Sequence, residues 1–301
     1  MAEIVQCVPN FSEGRQADVV KAIVEAAKKA PGVRLLNYSS DYDHNRTVVT
    51  FVGDRQSVGE AAFRAAARAA ELIDMSSHTG GHPRMGATDV IPFIPVSGVS
   101  MPECVQLARD TGERIGRELG IPVFLYEEAA TRPERRNLAD IRRGEYEGLA
   151  ARFADPRQAP DFGPAQFNPR SGATAVGARQ PLVAFNANLN TGDITIAKKI
   201  AQAIREKGGG LTNVKAMGLL LEDRKQAQVS MNLVNCDATP VYRVVELIKA
   251  EAARYGITIA STEIVGLIPL KYILDAASYY LQLEEFTPDQ VLENKIFFSE
   301  G

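Results

Sequence analysis

The sequence predicts an α+β protein built from two halves of similar architecture. Three observations carry that reading. Short β-branched runs alternate with Ala-rich segments of helical period. The order of these elements recurs after a connector rich in Pro and Arg. The chain has 301 residues, about two domains at roughly 150 residues each.

In the first half, Ile4 to Phe11 reads as a strand ending near Pro9-Asn10. A helix follows from Arg15 to Ala30, with Val19, Ile23, Ala26 and Ala27 on one face, stopped by Pro31-Gly32. Val33 to Tyr38 and Arg46 to Val52 are strands. An Ala-rich helix runs from Gly53-Asp54 to Asp74, and a strand from Asp89 to Val96 holds Pro92 and Pro95, the mark of an edge or a bulge. A helix over Pro102–Leu119 and a strand over Val123–Tyr126 are appended.

The second half repeats the order. Leu182–Leu189 is a strand, Asp193–Lys207 a helix ended by Gly208-Gly209-Gly210, and Val214–Leu221 and Ala227–Val234 are strands. Thr239-Pro240 opens a helix reaching Tyr255-Gly256, and Ile257–Val265 is the closing strand. Each half therefore reads βαββαβ, the ferredoxin-like unit. The domains divide at 1–178 and 179–301. Between the two patterns, Pro133 to Pro181 holds six of the sixteen prolines and is rich in arginine, with Arg135, Arg136, Arg142, Arg143, Arg170 and Arg179 among them. Asn137–Ala151 has helical character, and Pro156–Gly177 reads as a long ordered loop, a feature that is usually functional or a linker.

Composition bounds the function. The net charge is −3, which lacks the basic footprint of a general nucleic-acid binder. No apolar run approaches a membrane span, and the start has no signal-peptide pattern, so a cytoplasmic protein is expected. Cys7, Cys104 and Cys236 are far apart and form no metal-binding or disulfide spacing.

The two halves fail to match in one place. The second helix of the later half passes to its strand through Tyr255-Gly256. The same connection in the first half runs from Met75 to Thr88 and holds His78, His82, Arg84 and three glycines. Folding does not require this insertion, since the second copy does without it, and such a loop on a rigid scaffold is a place for chemistry. His78 and His82 have the i, i+4 spacing of a metal pair, with His44 or Asp89 as a third ligand. Against this, Gly80-Gly81 and Pro83 oppose a helix, and no His-Glu-x-x-His motif exists. No metal is expected. The other uses are an idle surface imidazole or an acid/base group working near neutral pH, with Asp89 orienting the ring. Arg84 beside it suits a bidentate carboxylate contact. Two further clusters stand out. Asp41-Tyr42-Asp43-His44-Asn45-Arg46 offers acidic groups for a cation, or a solvated turn. Asn10-Phe11-Ser12-Glu13-Gly14-Arg15 joins a strand end to a helix start, where anions are favoured, although capping by Ser12 explains much of it.

Several separated motifs resemble a known family. Cys7-Val8-Pro9-Asn10-Phe11-Ser12-Glu13-Gly14, Asn45-Arg46-Thr47-Val48, His82-Pro83-Arg84-Met85-Gly86-Ala87, Pro160-Asp161-Phe162-Gly163-Pro164 and Val265-Gly266-Leu267-Ile268-Pro269-Leu270 are similar to glutamate formimidoyltransferases, in order and over nearly the whole chain. The resemblance implies two ferredoxin-like subdomains around a folate tunnel, in a homodimer. It implies transfer of a formimidoyl group from N-formimidoyl-L-glutamate to N5 of tetrahydrofolate, in histidine degradation. The family's catalytic histidine falls on His82. Its folate loop falls on Gly163, Pro164, Ala165, Gln166, Phe167, Asn168, Pro169, Arg170, Ser171 and Gly172. Asn10, Asp41, Asp43 and Arg84 are the candidates for holding the donor, and Arg84 and Arg170 for clamping carboxylates. Phe162 and Phe167 can pack on the folate rings or simply within the loop. Animal members fuse this domain to a cyclodeaminase, and that second activity is not expected here. The stretch Ser39–His44 departs from animal members, which use an Asp there, so the role of Asp41 or Asp43 stays open. Formyl transfer on the same fold and non-catalytic folate binding are the competing readings.

Overall fold

The computed structural model describes residues 2–42, 44–221 and 224–297. The chain divides into two compact units, Met1–Arg179 and Gln180–Gly301. Both are mixed α/β, each with its own sheet and its own core.

The first unit opens with β1 (Ile4–Cys7) and β2 (Asn10–Phe11), one extended run broken at Val8-Pro9. It continues through α1 (Ala17–Lys28), β3 (Arg34–Asp41), β4 (Arg46–Gly53), α2 (Arg55–Leu72), β5 (Thr88–Ser97), α3 (Met101–Leu119) and β6 (Val123–Glu127). Two short helices follow, α4 (Leu138–Ile141) and α5 (Leu149–Phe153), before β7 (Thr174–Ala178). Asp54 caps α2 by accepting from the Ser57 amide, and Ser100 with Glu103 forms a capping box on α3. Val20, Ile23 and Val24 of α1 and the alanines of α2 bury the helical faces against Val49, Phe51, Ile91 and Phe93.

The sheet runs β3-β4-(β1, β2)-β5-β7-β6, with β7 parallel to both neighbours. Two expectations are decided here. Of the edge or bulge that Pro92 and Pro95 suggested, the strand shows the bulge and not the edge: it is interior, flanked by β1 and β2 on one side and β7 on the other. It tolerates the prolines because the pairing shifts register near Pro95, and because the Pro92 carbonyl still accepts from the Val8 amide at 3.3 Å. The expected loop over 156–177 ends in a buried strand, β7. Its sequence, Thr-Ala-Val-Gly-Ala, is too short and small to show a period, yet it lies between two strands and is covered on both faces. The region before β7 supplies a second core, in which Ile141 and Leu149 pack on Val90, Phe124 and Ala175.

The second unit contains β8 (Val183–Leu189), α6 (Ile194–Ile204), β9 (Val214–Leu221), β10 (Gln226–Leu233), α7 (Val241–Ala253), β11 (Ile259–Val265), α8 (Leu270–Leu281) and α9 (Leu292–Phe297). The last two helices add to the expected pattern. The sheet order is β11-β8-β10-β9, antiparallel throughout. Alternate residues Phe185, Ala187 and Leu189 of β8 and Val229, Met231 and Leu233 of β10 meet Ile200, Ile204, Val244 and Ile248 from the helices. Among the described residues, no helix is long and apolar enough to cross a membrane.

Candidate active site

Three segments singled out in the sequence come together in the first unit: residues 10–15, 41–46 and 78–86. They line one crevice with Ser12, His44, Asn45, Arg46, His78, His82, Arg84 and Asp89. The segments are stitched by short polar contacts. Ser12 Oγ donates to the Gly86 carbonyl at 2.8 Å, and Asn45 accepts from the Gly14 amide at 2.9 Å and donates to the Thr79 carbonyl at 3.0 Å. Gly80 is required by the close approach, since a Cβ there would lie 2.3 Å from the His44 carbonyl oxygen. The segments thus hold one another, and the Gly-rich insertion is fixed from both sides.

His82 sits against the guanidinium of Arg46, which contacts both of its ring nitrogens. Its Nδ1 is 2.7 Å from the Pro83 carbonyl, an acceptor only, so Nδ1 carries the proton and Nε2 presents the lone pair. Burial, then the positive charges of Arg46 and Arg142, press the imidazole down to about 3, against weaker opposition from the Pro83 carbonyl and Asp89. His82 is therefore neutral throughout the physiological range. Arg46 is itself half-buried, and desolvation lowers it to about 10. Asn10 fixes it: its Oδ1 accepts from Nε at 2.9 Å and from Nη2 at 2.5 Å. Asn10 thus holds the guanidinium in place. Among the described residues, no carboxylate stands within ion-pair distance of Arg46.

Asp89 does not orient His82. It accepts from the Met85 amide at 3.0 Å and pairs with Arg142 of the connector. His78 is committed to structure as well. Nδ1 accepts from Arg84 Nε at 3.2 Å, so Nε2–H donates to the Asn45 carbonyl at 3.1 Å, and burial lowers its proton affinity. Arg84 is buried and ion-paired with Glu147 at 2.5 Å and Glu145 at 3.0 Å. The charge that the sequence offered as a clamp is already neutralised. Asp41 stands opposite Arg46 across the β3–β4 pairing and accepts from the His44 amide at 2.7 Å. The His44 ring meets His82 edge-on, with centroids 5.8 Å apart. Asp43 lies outside the described residues.

The loop Gly163–Gly172 joins the same region. Gly172, at φ +66°, pairs with Gly86 in a bridge so close that a Cβ would lie 2.1 Å from the Met85 carbonyl oxygen. Asn168 accepts from the amides of Arg170 and Ser171, and Ser171 is buried. Gly163, Pro164, Ala165 and Gln166 are exposed. Arg170 caps the C-terminal carbonyls of α2, donating to Glu71 at 2.7 Å, a favourable place for a cation. Phe162 packs on the main core, and Phe167 tilts against Tyr146 at 5.4 Å. Tyr146 donates to the Pro169 carbonyl at 2.5 Å, while its amide donates to the Arg84 carbonyl at 2.9 Å. The connector is thus a brace between the His82 loop and the 163–172 loop.

Sequence reasoning included Arg46 in the 41–46 cluster without giving it a role, and did not place Arg142, Glu145, Glu147 or Tyr146 in the site. Arg46 had a readable signal, a cation at the head of a β-branched strand. The others sit in a segment without a period, where only the fold shows what they reach.

No group of three or more His, Cys, Asp or Glu side chains placed to hold a metal ion occurs among the described residues. The arrangement defines a class: a neutral imidazole able to take a proton, beside a half-buried cation able to hold an anionic group. Comparison with known proteins then specifies the family. The formiminotransferase domain, N-terminal subdomain, matches residues 4–179, and the formiminotransferase domain matches residues 184–296. A glutamate formimidoyltransferase of Streptococcus pyogenes is 54% identical over 98% of this chain and 99% of its own. One of Thermoplasma acidophilum is 50% identical over 97% of both. The formimidoyltransferase-cyclodeaminase of Mus musculus is 46% identical over 95% of this chain, which spans 54% of that protein. The chain belongs to the formiminotransferase family, enzymes that transfer a one-carbon group.

Proposed function

We propose that this enzyme transfers the formimidoyl group from N-formimidoyl-L-glutamate to N5 of tetrahydrofolate, with His82 as the base and then the acid. The observation that carries this reading is the neutral His82, its Nε2 lone pair held against the half-buried Arg46. Full-length identity to glutamate formimidoyltransferases supplies the substrates. Tetrahydrofolate is a co-substrate, with the 163–172 loop and a tunnel for it taken from the family. The same reading includes two ferredoxin-like subdomains over 1–178 and 179–301, a homodimer and a cytoplasmic setting. The βαββαβ order of each unit supports the subdomains.

In this mechanism N5 attacks the amidine carbon and forms a tetrahedral intermediate. The N5 proton passes to Nε2, and the imidazolium returns a proton to the glutamate nitrogen as the C–N bond breaks. Protons balance over the cycle, and the chemistry uses one imidazole as both base and acid. An imidazolium beside Arg46 is costly, because two cations then share one buried place. A substrate carboxylate at Arg46 offsets that charge, so proton acceptance improves once the donor is bound. Holding both substrates together contributes up to about 7–11 kcal/mol in ideal cases.

The test is turnover of purified protein with both substrates. His82→Gln is expected to lower kcat about 10²- to 10⁴-fold with little change in folate binding. Wild-type turnover by that variant sinks the assigned role. Faster turnover of N-formylglutamate than of the formimidoyl donor overturns the donor, and tight folate binding without product overturns catalysis.

A further inference from the structure

β11 forms one edge of the second unit's sheet, and its outer side has no partner strand among the described residues. Residues 260–267 are all exposed. Proteins usually blunt such an edge with lysine, proline or a cover, because unpaired backbone groups recruit another strand. From Ile257 to Ile268 the one charged residue is Glu263, and its carboxylate already accepts from Asn186 at 3.2 Å. The register shift with β8 falls at Ile259–Ser261 and leaves Ser261–Val265 regular.

An apolar groove of about 290 Å³ lies on the same strand, lined by Ile264 and Phe185 and by Tyr272 and Ile273 of α8. Ile273 in its lining, and Leu267 and Leu270 on the turn into α8, are 40–47% exposed. Contiguous apolar surface of this kind marks an interface.

We propose that this edge is where two copies of the chain meet, β11 pairing antiparallel with its own two-fold mate. The inference rests on the homodimer reading above and names the surface. An antiparallel strand edge is complementary to itself under a two-fold axis, so an identical strand matches it without any other partner. Outward backbone groups alternate along a strand, so the axis must pass through a residue. An axis through Glu263 opposes two carboxylates. One through Ile264 runs into Gly266, whose φ of +80° breaks the strand. The axis through Thr262 sets Ser261 opposite the mate's Glu263, a hydroxyl donor against a carboxylate. It also sets Ala260 opposite the mate's Ile264, on the groove side.

The test uses the full-length protein. Residues directly opposite in an antiparallel pair have Cα atoms about 4.5–5.5 Å apart, which is within disulfide reach. Cys7, Cys104 and Cys236 are all buried, so Thr262→Cys adds the one exposed thiol. It is expected to form a disulfide-linked dimer under mild oxidation. Met217→Cys, on the opposite edge strand at 56% exposure, is expected to form none. Ile264→Lys, with folding checked by circular dichroism, is expected to weaken the dimer about 100-fold in sedimentation, since it places two buried cations near the axis. A wild-type monomer at micromolar concentration overturns the homodimer reading and this surface together. A wild-type dimer that neither cross-links through position 262 nor weakens with Ile264→Lys overturns this surface alone.

Discussion

The protonation of His82 is the most direct probe of the site. The chain has three histidines, His44, His78 and His82, so an NMR titration resolves three imidazoles, each assigned by single substitution to Gln. An ordinary imidazole titrates at about 6.5 and is about 97% protonated at pH 5. His82, lowered to about 3 by burial and by Arg46 and Arg142, is expected to be about 1% protonated there. The difference corresponds to about 5 kcal/mol against the imidazolium in the folded enzyme. Arg46→Met removes the nearer charge and is expected to raise the midpoint, though not to 6.5, since burial remains the larger cause. The linkage to stability has a definite sign. The unfolded chain takes up this proton below about 6.5 and the folded chain only near 3. The contribution is complete above 6.5 and falls by about 1.4 kcal/mol per pH unit in the window between these values. Urea unfolding of wild type and His82→Gln at pH 7 and pH 5 is expected to show wild type losing about 2 kcal/mol more than the variant. A His82 signal that titrates between pH 6 and 7, or parallel losses in the two proteins, would refute this electrostatic account.

Three other outcomes follow from the geometry. Asp161→Ala leaves Arg135 buried without the partner it holds at 2.6 Å, and is expected to destabilise the first unit by about 3–5 kcal/mol in urea unfolding. Gly172→Ala drives a Cβ into the Met85 carbonyl oxygen at a positive φ; a stability loss of about 1–3 kcal/mol and reduced turnover are expected, measured by melting and steady-state kinetics. Glu147→Gln weakens the hold on Arg84 and, through it, the brace over the His82 loop; a kcat lower by up to about tenfold is expected, with the overall fold unchanged by circular dichroism.

Much of the fold was legible because helical and strand periods are local. The amphipathic face of α1 and the β-branched run of β4 declare themselves within a dozen residues. β7 was not legible, because small residues between two parallel strands carry no alternation. The site was half legible. His82 stood out because it lies in an insertion that the second copy of the pattern lacks. Arg84 stood out equally, and its ion pairs with Glu145 and Glu147, more than sixty residues away, give it a different role.

The sequence by itself determined most of the element order, the two-part organisation, the family and the insertion that carries His82, because periodicity and short motifs are properties of neighbouring residues. Only the tertiary structure decided which charges are spent and which are available. Arg84, Arg142 and Arg170 are each committed to a carboxylate or to helix carbonyls, while Arg46 lies half-buried against His82. Charge pairing and desolvation depend on distance through space, and the chain order of the arginines carries no record of it.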